Sequence, residues 1–362
     1  MGSAATYHLS KQGYDVLGLE QFDIPHSKGS SHGVTRIIRK AYFEDLGYVP
    51  LLDHAYDLWK DLEEEYGQQL LFEKGSIAAG RAESEDYKNA LLACEQYDLP
   101  YEILSSAELS ERYPAWNLPD DYKALFQPDG GYLDSDRCLI AHVQQAQEHG
   151  ATIKAREKVI DWRSTSKGIK VETNKSEYTA DRLVITAGAW ISDLVNELQS
   201  TTSVERQVLT WLQPTEPENF DPSNFPVFTI TVDEGQFYGF PEYKVPGFKF
   251  GKHHHEEELV DPNEENWREP TLADEQTLRN FAERYLPTGA GSTLALRTCM
   301  YTNSPDENFI IDTHPDNDDV VIATGFSGHG YKFCSVVGEV IADLVDTKKT
   351  EHPIGQFSNS RF

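Results

Sequence analysis

Apolar residues along the chain fall into short runs closed by glycine, proline or acid, and the period within each run predicts its element. Ala4 to Lys11 repeats its apolar positions at helical spacing and stops at Gly13. Tyr14-Asp15-Val16-Leu17-Gly18-Leu19 then reads as a short buried strand ending at the acid Glu20. Leu294 to Thr302 alternates, which sets Arg297, Cys299 and Tyr301 on one face of a strand. Tyr238-Gly239-Phe240-Pro241 and the run Phe248 to His253 read as two arms of a β-hairpin with Pro246-Gly247 in the connection. Leu183-Val184-Ile185, Phe309-Ile310-Ile311-Asp312 and Val320-Val321-Ile322-Ala323 are further strands. The first leads through Thr186-Ala187-Gly188-Ala189-Trp190 into a helix, and the last through Gly325-Phe326-Ser327-Gly328-His329-Gly330 into an apolar helix, Val336 to Leu344. Gln213 to Asn219 and His255 to Asn266 are rich in proline and acid and read as surface loops.

A chain of 362 residues with 39% hydrophobic and 11% aromatic side chains exceeds one compact core, so two domains are expected, interleaved along the sequence. Its formal net charge of −28 repels phosphate backbones and anionic lipid, which excludes nucleic acid and membrane surfaces as partners. No run approaches the roughly 18 apolar residues of a membrane span, and no secretory signal opens the chain, so a cytoplasmic protein is expected. Cys94, Cys138, Cys299 and Cys334 lie far apart without zinc-type spacing, and neither a disulfide framework nor a metal site is predicted.

Helix, tight turn, strand and acid make up the second half of a dinucleotide-binding βαβ unit, in which Gly2 is the last glycine of the turn and Glu20 takes ribose hydroxyls. The first strand and two earlier glycines would lie upstream of residue 1; an ordinary helix-to-strand connection with a surface Glu20 is the plain alternative. Within Ser30 to Arg39, Arg36 and Arg39 face the same way if the segment turns helically, and two planar guanidiniums near one cavity attract a carboxylate. A surface salt-bridge pair is the competing reading. Lys249, between Phe248 and Phe250, either snorkels to water or is held in a cavity where its charge acts on a neighbour. His253-His254-His255 point alternately to opposite faces of a strand, so a surface loop is expected there rather than a metal site. Strand, glycine turn and helix N-terminus around Gly325 to Gly330 make an anion site, and the absence of a following Gly-Lys-Ser/Thr argues against an NTPase.

Ser30-Ser31-His32-Gly33-Val34-Thr35-Arg36-Ile37-Ile38-Arg39, Thr186 to Trp190, Tyr238 to Pro241, Cys299-Met300-Tyr301 and Gly325 to Lys332 together resemble, in order, the monomeric sarcosine oxidase and N-methyltryptophan oxidase family of flavoenzymes, within the D-amino-acid oxidase superfamily. The likeness runs from Gly2 to about Phe357. It implies an α/β fold: a Rossmann-like FAD-binding domain assembled from residues 1–72, 136–200 and 306–362, and a substrate domain with a large antiparallel sheet from residues 73–135 and 201–305. It implies FAD as cofactor, joined through a thioether to Cys299 with Cys334 as the rival attachment, and neighboured by Gly2, Glu20, His32, Arg36, Gly188, Gly328, Gly330 and Lys332. Arg39 and Lys332 would bind the substrate carboxylate, Tyr238, His253 and Tyr301 would line the substrate cavity, and Lys249 would help oxygen accept electrons. The implied reaction of this monomer is oxidative demethylation of an N-methyl amino acid with O2. Pipecolate or fructosyl-amino-acid oxidation is the alternative within the class. The family pattern also places a strand and a Gly-x-Gly-Ser turn before Met1, so a flavin-deficient remnant is the contrasting expectation.

Overall fold

The structure, a computed structural model, describes all 362 residues. Seven α-helices lie along the chain: α1 (Gly2–Lys11), α2 (Val49–Tyr66), α3 (Glu85–Gln96), α4 (Ser106–Arg112), α5 (Ser135–Glu148), α6 (Leu272–Tyr285) and α7 (Cys334–Thr347). In α2, Pro50 occupies the first turn, where its missing N–H costs nothing, and Leu51, Leu52, Ala55, Tyr56, Trp59 and Leu62 form one buried stripe at three- and four-residue spacing. Gly67 ends it in a left-handed conformation (φ +73°) with its N–H donated to the Glu63 carbonyl. Helices α1 and α7 cross closely because α7 carries Gly338 at the contact; a Cβ there would stand 2.7 Å from that of Ala4.

Strand Leu17–Leu19 follows α1 as expected but is only three residues long, and it pairs in parallel with Thr152–Lys154 after α5. A second parallel pair, Leu183–Ile185 with Asn317–Thr324, is extended antiparallel by Ile310–His314. These two sheets share no hydrogen bonds, and Leu17–Leu19 and Leu183–Ile185 each keep one edge without a strand partner. An apolar cleft opens between them.

The third large unit is an eight-stranded sheet in the order Thr293–Asn303, Ser203–Leu212, Val245–Lys252, Gly235–Tyr243, Val227–Val232, Ser76–Arg81, Tyr122–Gln127, Glu102–Ser105. It is mixed rather than wholly antiparallel. Ser76–Arg81 and Val227–Val232 run parallel, which the long stretch of chain between them permits. The hairpin turns at Lys244 (φ +59°), and Pro246 and Gly247 lie inside its second arm, not in the connection. The Lys244 ammonium pairs with the buried Asp134 at 2.5 Å, while Gly247 (φ +90°) presses against the Leu212 carbonyl, so the bend is fixed one step earlier than the Pro-Gly signal suggests.

Two hydrophobic clusters of 35 and 26 residues serve as separate cores, one under α1, α2, α5 and α7 and the other between the large sheet and α6. A three-stranded sheet, Thr35–Ile38 with Gly131–Asp134 and Leu71–Glu73, stands beside them. The helical turn that would have set Arg36 and Arg39 on one side is not formed; the segment is extended: Thr35 pairs with Asp134 and Arg36 with Leu133, because the β-branched run Thr35, Ile37, Ile38 suits a pleated surface better than a helix.

Candidate active site

A cavity of about 1040 Å³ extends from the N-terminus of α1 to the face of the large sheet. That is at the top of the range of about 300–1,000 Å³ for small-molecule sites, large enough for a dinucleotide and a second ligand. Gly2, Glu20 and Gly188 line one end, Tyr238, Lys249, His253, Cys299 and Tyr301 the other, and Gly328, Gly330 and Lys332 stand between. Glu20 closes its strand and accepts the Phe22 N–H at 2.8 Å. Gly188 (φ +55°) opens a 3-10 helix, Gly188–Asp193, where an α-helix was expected, and no atom lies within 4 Å of where its Cβ would be. Gly328 (φ +78°) lets the Tyr301 ring lie against backbone; a Cβ would meet that ring at 2.5 Å.

Two cations face the cavity without a carboxylate partner. Arg36 donates Nη1 to the Thr35 carbonyl at 2.8 Å and Nη2 to the carbonyls of Ser30 and His32, both at 2.6 Å. Lys249 is held, not snorkelled: it is 3% exposed, and Nζ donates to the carbonyls of Gly33 and Thr35 at 2.7 Å each and to Thr35 Oγ1 at 3.1 Å. Burial first, and then the Arg36 charge, push its pKa well below the usual lysine range. His32 does not line the cavity. Its carbonyl serves Arg36, its ring Nε2 is buried without a partner, and burial with the nearby cations lowers its pKa to about 4.

Because Thr35–Ile38 is a strand, Arg39 reaches a different part of the cavity from Arg36. Arg39 Nη2 meets both oxygens of Glu44, at 3.0 and 3.1 Å, and the guanidinium lies 4.0 Å from the Phe43 ring centroid. Lys332 donates Nζ to the His329 carbonyl at 2.7 Å, and burial lowers its pKa to about 7 against the raising effect of Glu44. Burial alone would raise the Glu44 carboxyl, but Arg39, Lys332 and His329 together hold it at about 2. Tyr42 fixes His329, its hydroxyl 2.5 Å from Nδ1, while the Glu307 carbonyl lies 3.0 Å from Nε2. Sequence reasoning missed Glu44, Tyr42 and His329 as members of this group. The aromatic and acidic run Tyr42-Phe43-Glu44 immediately after Arg39 was the available signal.

Cys299 and Tyr301 do share the cavity-facing side of their strand, whereas Arg297 lies beyond the cavity and is exposed. All four cysteines are free and buried, and of these Cys299 and Cys334 line the cavity while Cys94 and Cys138 do not. The Tyr301 hydroxyl lies 3.2 Å from His253 Nδ1, and burial lowers the His253 pKa to about 3, so its ring is neutral. Burial raises the Tyr238 phenol to about 12.

The loop expected at His253-His254-His255 is present as a turn after the strand, but it is not a surface one. His255 is fully buried with Nε2 at 3.0 Å from Asp274, and His254 Nδ1 lies 2.8 Å from Glu205. Asp274 also takes a bidentate pair from Arg206 at 2.9 and 2.8 Å. Acids on neighbouring elements draw these rings inward, which neighbour-by-neighbour alternation along one strand cannot reveal. Glu205 and Gln207 are the cross-strand partners of Tyr301 and Cys299, so the network backs the strand that presents both.

The cavity has the features of a site that a large, electron-rich ligand completes. Arg39 Nε, Thr302 Oγ1 and Thr324 Oγ1 are buried without partners on residues that line it, and Arg36 and Lys249 lack counterions. Such a cleft, set beside parallel strands and covered by a large sheet, defines a dinucleotide-dependent oxidoreductase. The chain belongs to the FAD dependent oxidoreductase (DAO) family, which it matches over residues 1–344. It is 39% identical over its whole length to monomeric sarcosine oxidase of Bacillus sp. (strain NS-129), covering 94% of that protein. It is 36% identical over its whole length to N-methyl-L-tryptophan oxidase of Yersinia pestis (strain Pestoides F), covering 96% of it. In fold it is similar to L-proline dehydrogenase from P. horikoshii, with a TM-score of 0.86 over 99% of this chain and 94% of that one at 22% identity. No helix is long and apolar enough to cross a membrane.

Proposed function

We propose that this protein is a monomeric FAD-dependent oxidase of N-methyl amino acids, of the size class of sarcosine or N-methyl-L-tryptophan. The observation that carries the reading is the pair of buried cations Arg39 and Lys332 around one resident carboxylate, in the same cavity as Cys299, Lys249 and Arg36. A site that already holds Glu44 in its charged form is built for a carboxylate, and a substrate carboxylate competes for the same donors. The names of the two curated relatives support an N-methyl amino acid as its bearer.

In this reading residues 1–72, 136–200 and 306–362 bind the flavin, and residues 73–135 and 201–305 cover it; the two hydrophobic clusters draw mainly on those groups. Gly2, Glu20 and Gly188 would hold the dinucleotide end, Gly328 and Gly330 would take the ring with Arg36 beside it, His32 would act only through the carbonyl that holds Arg36, and Cys299 would carry the thioether. Bound flavin supplies the two-electron acceptor. Arg39 and Lys332 fix the carboxylate, so that the N-methyl group meets the wall formed by Tyr238, Tyr301 and His253. The neutral His253 accepts a hydrogen bond without adding charge beside the amine. Arg36 and Lys249 place positive charge where electrons arrive, and Lys249 stabilises the negative charge that oxygen gains. The N-methyl carbon loses two electrons, water hydrolyses the resulting imine to formaldehyde and the primary amino acid, and O2 leaves as hydrogen peroxide.

A panel of sarcosine, N-methyl-L-tryptophan, pipecolate and a fructosyl amino acid, read by peroxide release, tests the reading. Turnover is expected on an N-methyl acid; turnover on none of them, by protein with a flavin spectrum, would overturn it.

A further inference from the structure

Outside the lining of the cavity, three side chains converge. His54 on α2, Glu339 on α7 and His352 on the segment after α7 bring one ligand atom each to within 4.8 Å of one another. His54 Nε2 lies 2.5 Å and His352 Nε2 2.9 Å from the same oxygen, Glu339 Oε2. The imidazole centroids are 4.9 Å apart. None of the three residues lines the flavin cavity. Nothing in the proposed oxidation uses them.

We propose that His54, Glu339 and His352 form a binding site for a divalent transition metal of the zinc class, which ties the segment after α7 to α2 and α7. An isolated histidine–glutamate ion pair needs one ring per carboxylate oxygen; here two rings aim the same nitrogen at the same oxygen. Two imidazoles and a carboxylate, with no thiolate, are a zinc donor set that keeps a fourth position open. Ligand atoms about 2.0–2.1 Å from a tetrahedral ion stand about 3.3 Å apart; the two nitrogen–oxygen separations, 2.5 and 2.9 Å, are shorter than that, and all three ligand atoms lie within 4.8 Å of one another. Side-chain exposures of 38%, 28% and 19% leave the rotamers free to open by the small remaining amount and leave solvent access for the fourth ligand. Metal replaces the protons that the rings now direct at Glu339, so binding releases protons and needs only a small opening of the same three side chains. The net charge of −28 concentrates cations at the surface and favours occupancy.

The consequence is structural. Phe357 is buried in the core and Ser358 and Asn359 donate to Asp312, so the end of the chain is already anchored. A bound ion closes the stretch between α7 and that anchor.

The test uses the full chain as purified, treated with EDTA and titrated with Zn2+ by calorimetry, with Co2+ as the spectroscopic probe. One ion per chain, four-coordinate visible bands of Co2+ in the difference spectrum and a Zn2+-dependent rise in melting temperature are expected. Glu339→Gln and His352→Ala should each weaken binding at least tenfold, while His149→Ala, at the separate His149–Glu65 pair, should leave it unchanged. The two variants are independent, so failure of one to fold leaves the other decisive. No Zn2+ binding by the parent chain, or equal affinity in the folded variants, would overturn the proposal. Neither result depends on turnover, so it stands or falls apart from the oxidase reading.

Discussion

Arg39 meets both oxygens of Glu44 through a single nitrogen, Nη2, at 3.0 and 3.1 Å, which leaves its buried Nε without any partner. The guanidinium is thus only partly used by its resident acid, and a second carboxylate can engage the remainder. Replacing Arg39 by Met removes charged hydrogen bonds worth about 1.5–3 kcal/mol, which is roughly a 10- to 150-fold rise in KM. Steady-state peroxide assays on Arg39→Met check this. A fall in kcat with KM unchanged would assign Arg39 to the transition state instead.

Lys332 gives the site a pH dependence. With its folded pKa at about 7, the free enzyme loses this cation as pH rises past neutrality, so KM for a carboxylate substrate is expected to climb between about pH 7 and 9 and level off where Arg39 acts alone. Lys332→Met should show the high KM at every pH in that range. Stability moves the other way. The unfolded chain keeps the proton up to the ordinary lysine value of 10.5, so it binds more protons than the folded one between about 7 and 10.5, and the Lys332 contribution to stability rises with pH across that window.

Cys299 and Cys334 both line the cavity, so covalent attachment has two candidates that denaturation separates. Acid-precipitated protein is expected to keep its yellow colour in the pellet. Cys299→Ser should release the flavin to the supernatant while Cys334→Ser retains it, read from the visible spectra of both fractions. The reverse pattern would move the thioether to the start of α7.

Local signals carried the element types here, and pairing partners decided the rest. The helix at Ala4 to Lys11, the strand bearing Cys299 and Tyr301, and the glycine turn before α7 were legible because each has its own period and its own stop residue. The extended state of Thr35–Ile38 was not, since so short a run around two arginines three positions apart fits either period and only pairing with Gly131–Asp134 decides. The same limit hid Glu44, whose pairing with the buried Arg39 five residues earlier shows only once the chain is folded. Burial of His255 depends on Asp274 and Arg206, brought together from separate strands and helices. His54 lies 285 residues from Glu339, while His352 follows Glu339 by 13, and no spacing rule joins the three.

Asp274 has two structural tasks, and its removal should expose both. It caps α6 with Thr271 and is the bidentate acceptor for Arg206, whose side chain is 5% exposed. Asp274→Ala removes the close bidentate partner of a buried guanidinium and leaves it only the more distant Glu258 carboxylate, at 3.7 Å, as a charged partner, at a cost approaching about 3–5 kcal/mol. Asp274→Asn keeps much of the hydrogen bonding and is expected to cost less. Urea midpoints of the two variants against the parent check the order.

In the proposed reaction, Lys249 is the residue assigned to the oxygen half. Its three contacts, to the Gly33 carbonyl, the Thr35 carbonyl and Thr35 Oγ1, all go to neutral oxygens, so its charge is positioned but not neutralised. A cation kept in a dry cavity without a counterion is costly to fold, and a role in the chemistry accounts for its retention. Lys249→Met preserves the volume between Phe240 and Trp211 and removes the charge, so the melting temperature should be unchanged or higher. Reoxidation by O2 should slow by about 10²–10³, the usual loss when a fixed stabiliser of developing negative charge is removed, while anaerobic reduction by substrate changes far less. Stopped-flow measurement of the two half-reactions separates these effects. Equal slowing of both, with a lowered melting temperature, would mean that Lys249 shapes the sheet and that oxygen meets its electrons without it.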